Sequence, residues 1–160
     1  MPATAKEFLE LIVEPTVAEF IQSPYDLRRG LLAAMVLSHV ADHVAQEGFP
    51  AMDRKTMDQR VITYRNRMLA ICPDFQLIQD VGDATKHAKL AISREKVRSV
   101  PASEKVTASP GLFQAPLNHG AFAEACGVTV ELLDGTKKPL LPAVLAVLHA
   151  WTSLLRETNA

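Results

Sequence analysis

Apolar positions recur at helical spacing along most of the chain. Phe8, Leu11, Ile12, Val17, Phe20 and Ile21 repeat near a period of 3.6. Ahead of them, Thr4 with Glu7 has the form of a capping box, whose hydroxyl and carboxylate satisfy free amides at a helix start. Pro15 has no backbone donor and must kink or break this helix before it ends near Gln22. Ser23, Pro24 and Asp26 signal a second helix, with proline at the first helical position, stopped near Glu47 by Gly48 and Pro50. Its Leu31, Leu32, Met35, Val36, Leu37, Val40 and Val44 point in nearly every direction around the axis, which predicts a central helix surrounded by others. Asp53 caps a third helix with Met57, Val61, Tyr64 and Met68 on its inner face, and Cys72-Pro73 ends it. A fourth starts near Asp74, with Leu77, Val81, Ala84, Ala88 and Ala91 as a narrow stripe; a last opens at Pro142 and buries Val144, Leu145, Leu148, Trp151, Leu154 and Leu155.

Between the fourth and last helices the period is lost. Pro101, Pro110, Gly111, Pro116, Asn118, Gly120 and Gly127 punctuate a loop-rich excursion over about 100–140. Residues 128–133 alternate apolar and polar, Asp134-Gly135 is a hairpin turn, and 136–140 returns as a partner strand. An isolated hairpin is marginal in water, so it should pack on the helices, with 105–109 as a further strand. The expected fold is mainly α: one domain over 1–160, a bundle of about five helices with a small β-hairpin excursion inserted before the last.

Composition adds exclusions. The chain has 160 residues, 48% of them hydrophobic, with 17 Lys and Arg against 18 Asp and Glu, enough for a sizeable core without disulfides. Near-neutral charge gives no electrostatic footprint for nucleic acid, and the basic face of the third helix is interrupted by Asp58 and carries no stacking aromatics. The apolar runs at 31–37 and 139–151 fall short of the ~20 residues that span a bilayer. Lys6, Glu7 and Glu10 do not fit a signal peptide, and Cys72 and Cys126 lack CxxC spacing. A cytoplasmic protein with reduced thiols is expected.

Candidate chemistry rests on the histidines. His39 with His43 and Asp83 with His87 are two pairs spaced four apart, and residues so spaced share a helix face. If the second and fourth helices face each other, His39, His43, Asp83 and His87 can offer four donors to one ion. Asp42 or Asp80 would then orient a ligating imidazole or act as a base. Imidazole and carboxylate ligands suit a divalent transition metal such as zinc, iron, manganese or nickel; no organic cofactor is implied. The same residues also fit a packed polar network, in which Arg28, His39, Asp42 and Gln46 bond to Asp80, Asp83 and His87, since buried polar groups need partners. Lys86 reads as solvated and His149 as a helix-boundary side chain. His119, in the Pro- and Gly-rich segment 114–120, reads as a surface-loop residue, with a lid over a site as the alternative.

The acidic helix ending in Ala84-Thr85-Lys86-His87 resembles that of uncharacterised bacterial and phage-borne helical proteins with an Ala-x-Lys-His motif, a likeness covering mainly the second to fourth helices. More distantly, the architecture is similar to HEPN-type bundles, which commonly dimerise and in many members cleave RNA through an Arg followed by four to six residues and a His. No Arg stands at that spacing before a His here, so no catalytic residue carries over. Three expectations result: a helical interaction or regulatory protein, binding a protein partner or small ligand through the polar cluster; a metal-dependent hydrolase using His39, His43, Asp83 and His87; and an HEPN-like, RNA-acting dimer. A homodimer is expected on the apolar share of a chain rich in amphipathic helices.

Overall fold

A computed structural model describes residues 2–91, 98–109 and 127–157. His119, the segment 114–120 and Cys126 lie outside them. The order is α1 (Ala5–Phe8), a π-helical turn (Leu9–Val13), α2 (Glu14–Gln22), α3 (Leu27–Gln46), α4 (Arg54–Ile71), α5 (Phe75–His87), β1 (Val106–Ala108), β2 (Val128–Glu131), β3 (Lys137–Pro139) and α6 (Leu140–Glu157). The mainly helical bundle with a small sheet before its last helix is the one the pattern predicts.

Pro15 does not break the first helical run. The chain widens into a π turn immediately before it, and the Glu14 amide donates to the carbonyl of Leu9, five residues back. A wider turn is one way a helix accommodates a proline that would otherwise crowd the preceding carbonyls. The second helix begins later than the Pro24 signal suggests. Asp26 is its cap, accepting the Arg29 amide at 3.1 Å, which leaves the Pro24 carbonyl to accept from Val128 at 2.9 Å. That bond fastens the sheet to the α2–α3 turn. Asp53 caps α4 as expected, through the Thr56 amide at 3.1 Å and hydroxyl at 2.7 Å.

The sheet is antiparallel in the order β1-β2-β3, with Val106 opposite Val130 and Val130 opposite Lys138. Val106, Val128 and Val130 point inward and join one apolar cluster with residues from every helix. Trp151, Phe20, Phe75, Leu37 and Met68 are its largest fully buried side chains, and Phe75 meets Trp151 edge-on at 5.7 Å. Leu145, expected inside, is 41% exposed, and Val147 is buried on that helix in its place. Among the described residues no helix is long and apolar enough to cross a membrane.

α3 packs most extensively against α5. Small residues make this possible: Ala34, Ser38 and Ala41 on α3 are buried, and Gly82 of α5 lies so close that a Cβ there would stand 2.8 Å from Ser38 Oγ. The spacing of these two helices decides what becomes of the polar residues they carry.

Candidate functional site

So close an interface has no room for long polar side chains, and the sequence-predicted cluster divides to either side of it. On the α4 side, Asp42 pairs with Arg65 at 3.3 Å, and Gln46 donates to the Met57 carbonyl at 3.1 Å. On the far side of α5, Asp80 and Asp83 both bind Arg98. Arg28, His39 and His87 are exposed and join neither group. Among the described residues no three His, Cys, Asp or Glu side chains are placed to hold one ion. The set His39, His43, Asp83 and His87 is therefore not brought together: helical spacing aligns each pair along its own helix, but the faces that meet are the small-residue faces.

The polar centre that does form is built around Asp80, which is fully buried. Oδ1 accepts from Arg98 Nη1 at 2.8 Å and Gln76 Nε2 at 3.0 Å, while Oδ2 accepts the backbone amides of Ser99 and Val100. A carboxylate has about four acceptor positions, and all four are taken. Arg98 Nη1 also reaches Asp83 Oδ2 at 2.7 Å, so one nitrogen spends its two protons on two carboxylates. Burial works against the guanidinium charge, yet its bonds to Asp80 and Asp83 outweigh that and raise the Arg98 pKa. The Nε of Arg98 is buried with no hydrogen-bond partner among the described residues.

This cluster clamps the chain after α5. Ala88 ends the helix with a left-handed φ of 61°, Lys89 bridges to Ala102, and residues 98–100 lie against α5, with the Arg98 side chain and the amides of Ser99 and Val100 on Asp80. The expected continuation of the helix through Ala88 and Ala91 does not occur; both are exposed. Arg98, the hub, was missed by the sequence reading because it lies in no periodic element. The available signal was the pair Asp80 and Asp83, one turn apart beside the buried stripe, with no cation on the inner face of the same helix to neutralise them.

His43 has a different role. Its ring stacks on Phe8, with centroids 3.7 Å apart and planes 13° apart, which holds α1 against α3. Burial pushes its pKa below the usual value; Asp42 opposes the shift and His39 adds to it. In the interval between the lowered folded value and the unfolded value of about 6.5, only the unfolded chain carries this proton, so stability falls as pH drops through that interval. We expect the urea midpoint of the native protein to fall more between pH 7.5 and 5 than that of His43→Phe, which keeps an aromatic stack without a titrating group. Equal losses would refute this role. Cys72 is buried and burial raises its thiol pKa, the state of an inert core thiol.

In chemical terms the centre is a closed ionic clamp: the acceptor positions of Asp80 are filled, its cation is shared with Asp83, and Asp80 holds the backbone amides of Ser99 and Val100. No described protein family, characterised protein or solved structure matches this chain.

Proposed function

We propose that the protein is a helical interaction protein that works by self-association, its polar centre serving to fix the scaffold. A catalytic base or a metal ligand needs a lone pair facing a reactant, and Asp80 has none to offer. This favours binding over chemistry at that centre.

The observation that carries the reading is the division of charge between two outer helical faces. Glu7, Glu10, Glu14 and Glu19 are all exposed along the first helical run, against Lys6 alone. Among the described residues Glu14 and Glu19 have no side-chain partner. On α4, Arg54, Lys55 and Arg67 are exposed against Asp58, which Arg54 reaches at 3.6 Å, while Arg65 is paired with Asp42 and Arg60 lies over Phe49. Each face also exposes apolar side chains: Leu11 at 63% and Ile12 at 38% on the first, Ile62 at 47% on α4. An acidic helix and a basic helix, each with an apolar spot, complement each other between two copies. Such complementarity gives register and salt sensitivity more than raw affinity.

Charge reversal tests it. Glu14→Lys/Glu19→Lys and Arg54→Glu/Lys55→Glu alter exposed side chains, and Arg54 is already 94% exposed. Acids in the first turn of α4 also suit its dipole. In light scattering at low salt, we expect the native chain to form dimers that dissociate as salt rises, and each doubly reversed protein to associate at least ~10-fold more weakly. Mixing the two reversed proteins should restore association, because each then offers the charge the other needs. A native chain that stays monomeric, or a mixture no more associated than its components, would refute the reading.

A further inference from the structure

The start of α1, the last turn of α3, the middle of α4 and the end of α6 enclose a cleft of about 430 Å³. Such a volume falls within the about 300–1,000 Å³ of small-molecule sites. Val44, Leu154 and Leu155 give it an apolar wall, and Leu154 and Leu155 are buried core residues. Its polar lining is Thr4, Lys6, Glu47, Tyr64 and Arg67.

The fold already occupies the acceptors among these groups. Thr4 Oγ1 caps the Glu7 amide at 3.1 Å, and Glu47 Oε2 accepts the Ala5 amide at 3.0 Å. The donors are left over. Neither the Arg67 guanidinium nor the half-buried Tyr64 hydroxyl has a hydrogen-bond or ionic partner among the described residues. Lys6 reaches Glu10 only loosely, at 3.8 Å with both side chains mostly exposed. The cleft therefore offers two cations and a hydroxyl against one engaged carboxylate, beside an apolar wall.

We propose that this cleft binds a small amphipathic anion, a carboxylate on a short apolar body. The carboxylate would meet Arg67, with Lys6 and Tyr64 beside it, and the apolar body would lie on Val44, Leu154 and Leu155. Arginine suits this task because its planar donors match a carboxylate in pairs. A smaller cleft of about 280 Å³ lies on the other side of Lys6 and shares Leu155, but there Glu10 and Glu14 offset the charges of Lys6 and Arg156. The site is accordingly the one on the α4 side. Arg67 also belongs to the basic helix invoked for self-association, but the charges that test reverses are at Glu14, Glu19, Arg54 and Lys55, so the two proposals can fail separately.

Octanoate is the probe, titrated by calorimetry into the full chain at moderate salt, with octylammonium as the control of opposite charge. Saturable binding of octanoate and none of octylammonium is expected. Arg67→Gln, a change at an exposed side chain, should weaken octanoate at least ~10-fold, and Tyr64→Phe should weaken it several-fold without altering the fold read by circular dichroism. The absence of saturable octanoate binding, equal binding of octylammonium, or undiminished binding by Arg67→Gln would each overturn the assignment.

Discussion

Asp80→Ala lowers the unfolding free energy by about 3–5 kcal/mol, the expected cost of removing one partner from a buried ion pair. Four separate donors lose their acceptor. Arg98 keeps only Asp83 as a counter-ion, and the amides of Ser99 and Val100 are stranded against α5. Gln76 also loses the oxygen it donates to. Arg98→Met should cost a similar amount, about 3–5 kcal/mol, because it leaves the fully buried Asp80 carboxylate without a counter-ion and takes a bond from Asp83, although Asp80 retains Gln76 and both amides. The double variant should then be more stable than the sum of the two losses predicts, since both changes break the same Asp80–Arg98 pair and its loss is counted twice in the sum. Urea unfolding of the three proteins measures all of this. A loss from Asp80→Ala under about 1 kcal/mol would mean that the clamp is not a stabilising element.

Substitution of Gly82 should produce the second large effect. A Cβ at this position stands 2.8 Å from Ser38 Oγ and 3.3 Å from Ser38 Cβ, with the Ala34 carbonyl 3.5 Å away. Ser38 Oγ is held in place by donating to the Met35 carbonyl at 2.8 Å, so moving it aside sacrifices that bond. Gly82→Ala gains up to about 1 kcal/mol of helix propensity but meets an overpacking cost of about 1–3 kcal/mol, for a net loss of about 1 kcal/mol. Gly82→Val adds bulk without further gain in propensity and should lose about 3 kcal/mol. Ser38→Ala should recover part of the loss in the Gly82→Ala background, because it removes the nearest atom. Calorimetric melting of the single and double variants decides it. A Gly82→Val protein as stable as the native one would show that the helices do not approach this closely.

These two positions also show what was legible in the sequence and what was not. Helix period, the caps Thr4 and Asp53, and the Asp134-Gly135 turn are local signals, and each marks a feature of the structure. The third strand was legible too, since 105–109 contains β1. The polar centre was not legible. Its acids, Asp80 and Asp83, could be read from one helix face, but their partner depends on where the chain reverses after Ala88, a backbone event that leaves no periodic trace. His39 and His43 looked like ligands because i,i+4 spacing is local information. Whether two such pairs meet depends on which faces the helices use, and the small residues Ala34, Ser38 and Gly82 set that orientation. The stack of His43 on Phe8 joins elements whose patterns carry no mutual signal.

The bond from the Val128 amide to the Pro24 carbonyl has a consequence for the order of assembly. It joins a turn near the start of the chain to a strand near its end, and such closures carry the largest entropy cost and form slowly. The contacts of α3 with α2 and α4 join neighbours in sequence and carry a much smaller cost. We therefore expect α2, α3 and α4 to gather first, and the sheet to arrive later together with α6, whose packing on α2 and α3 joins segments still further apart in the chain.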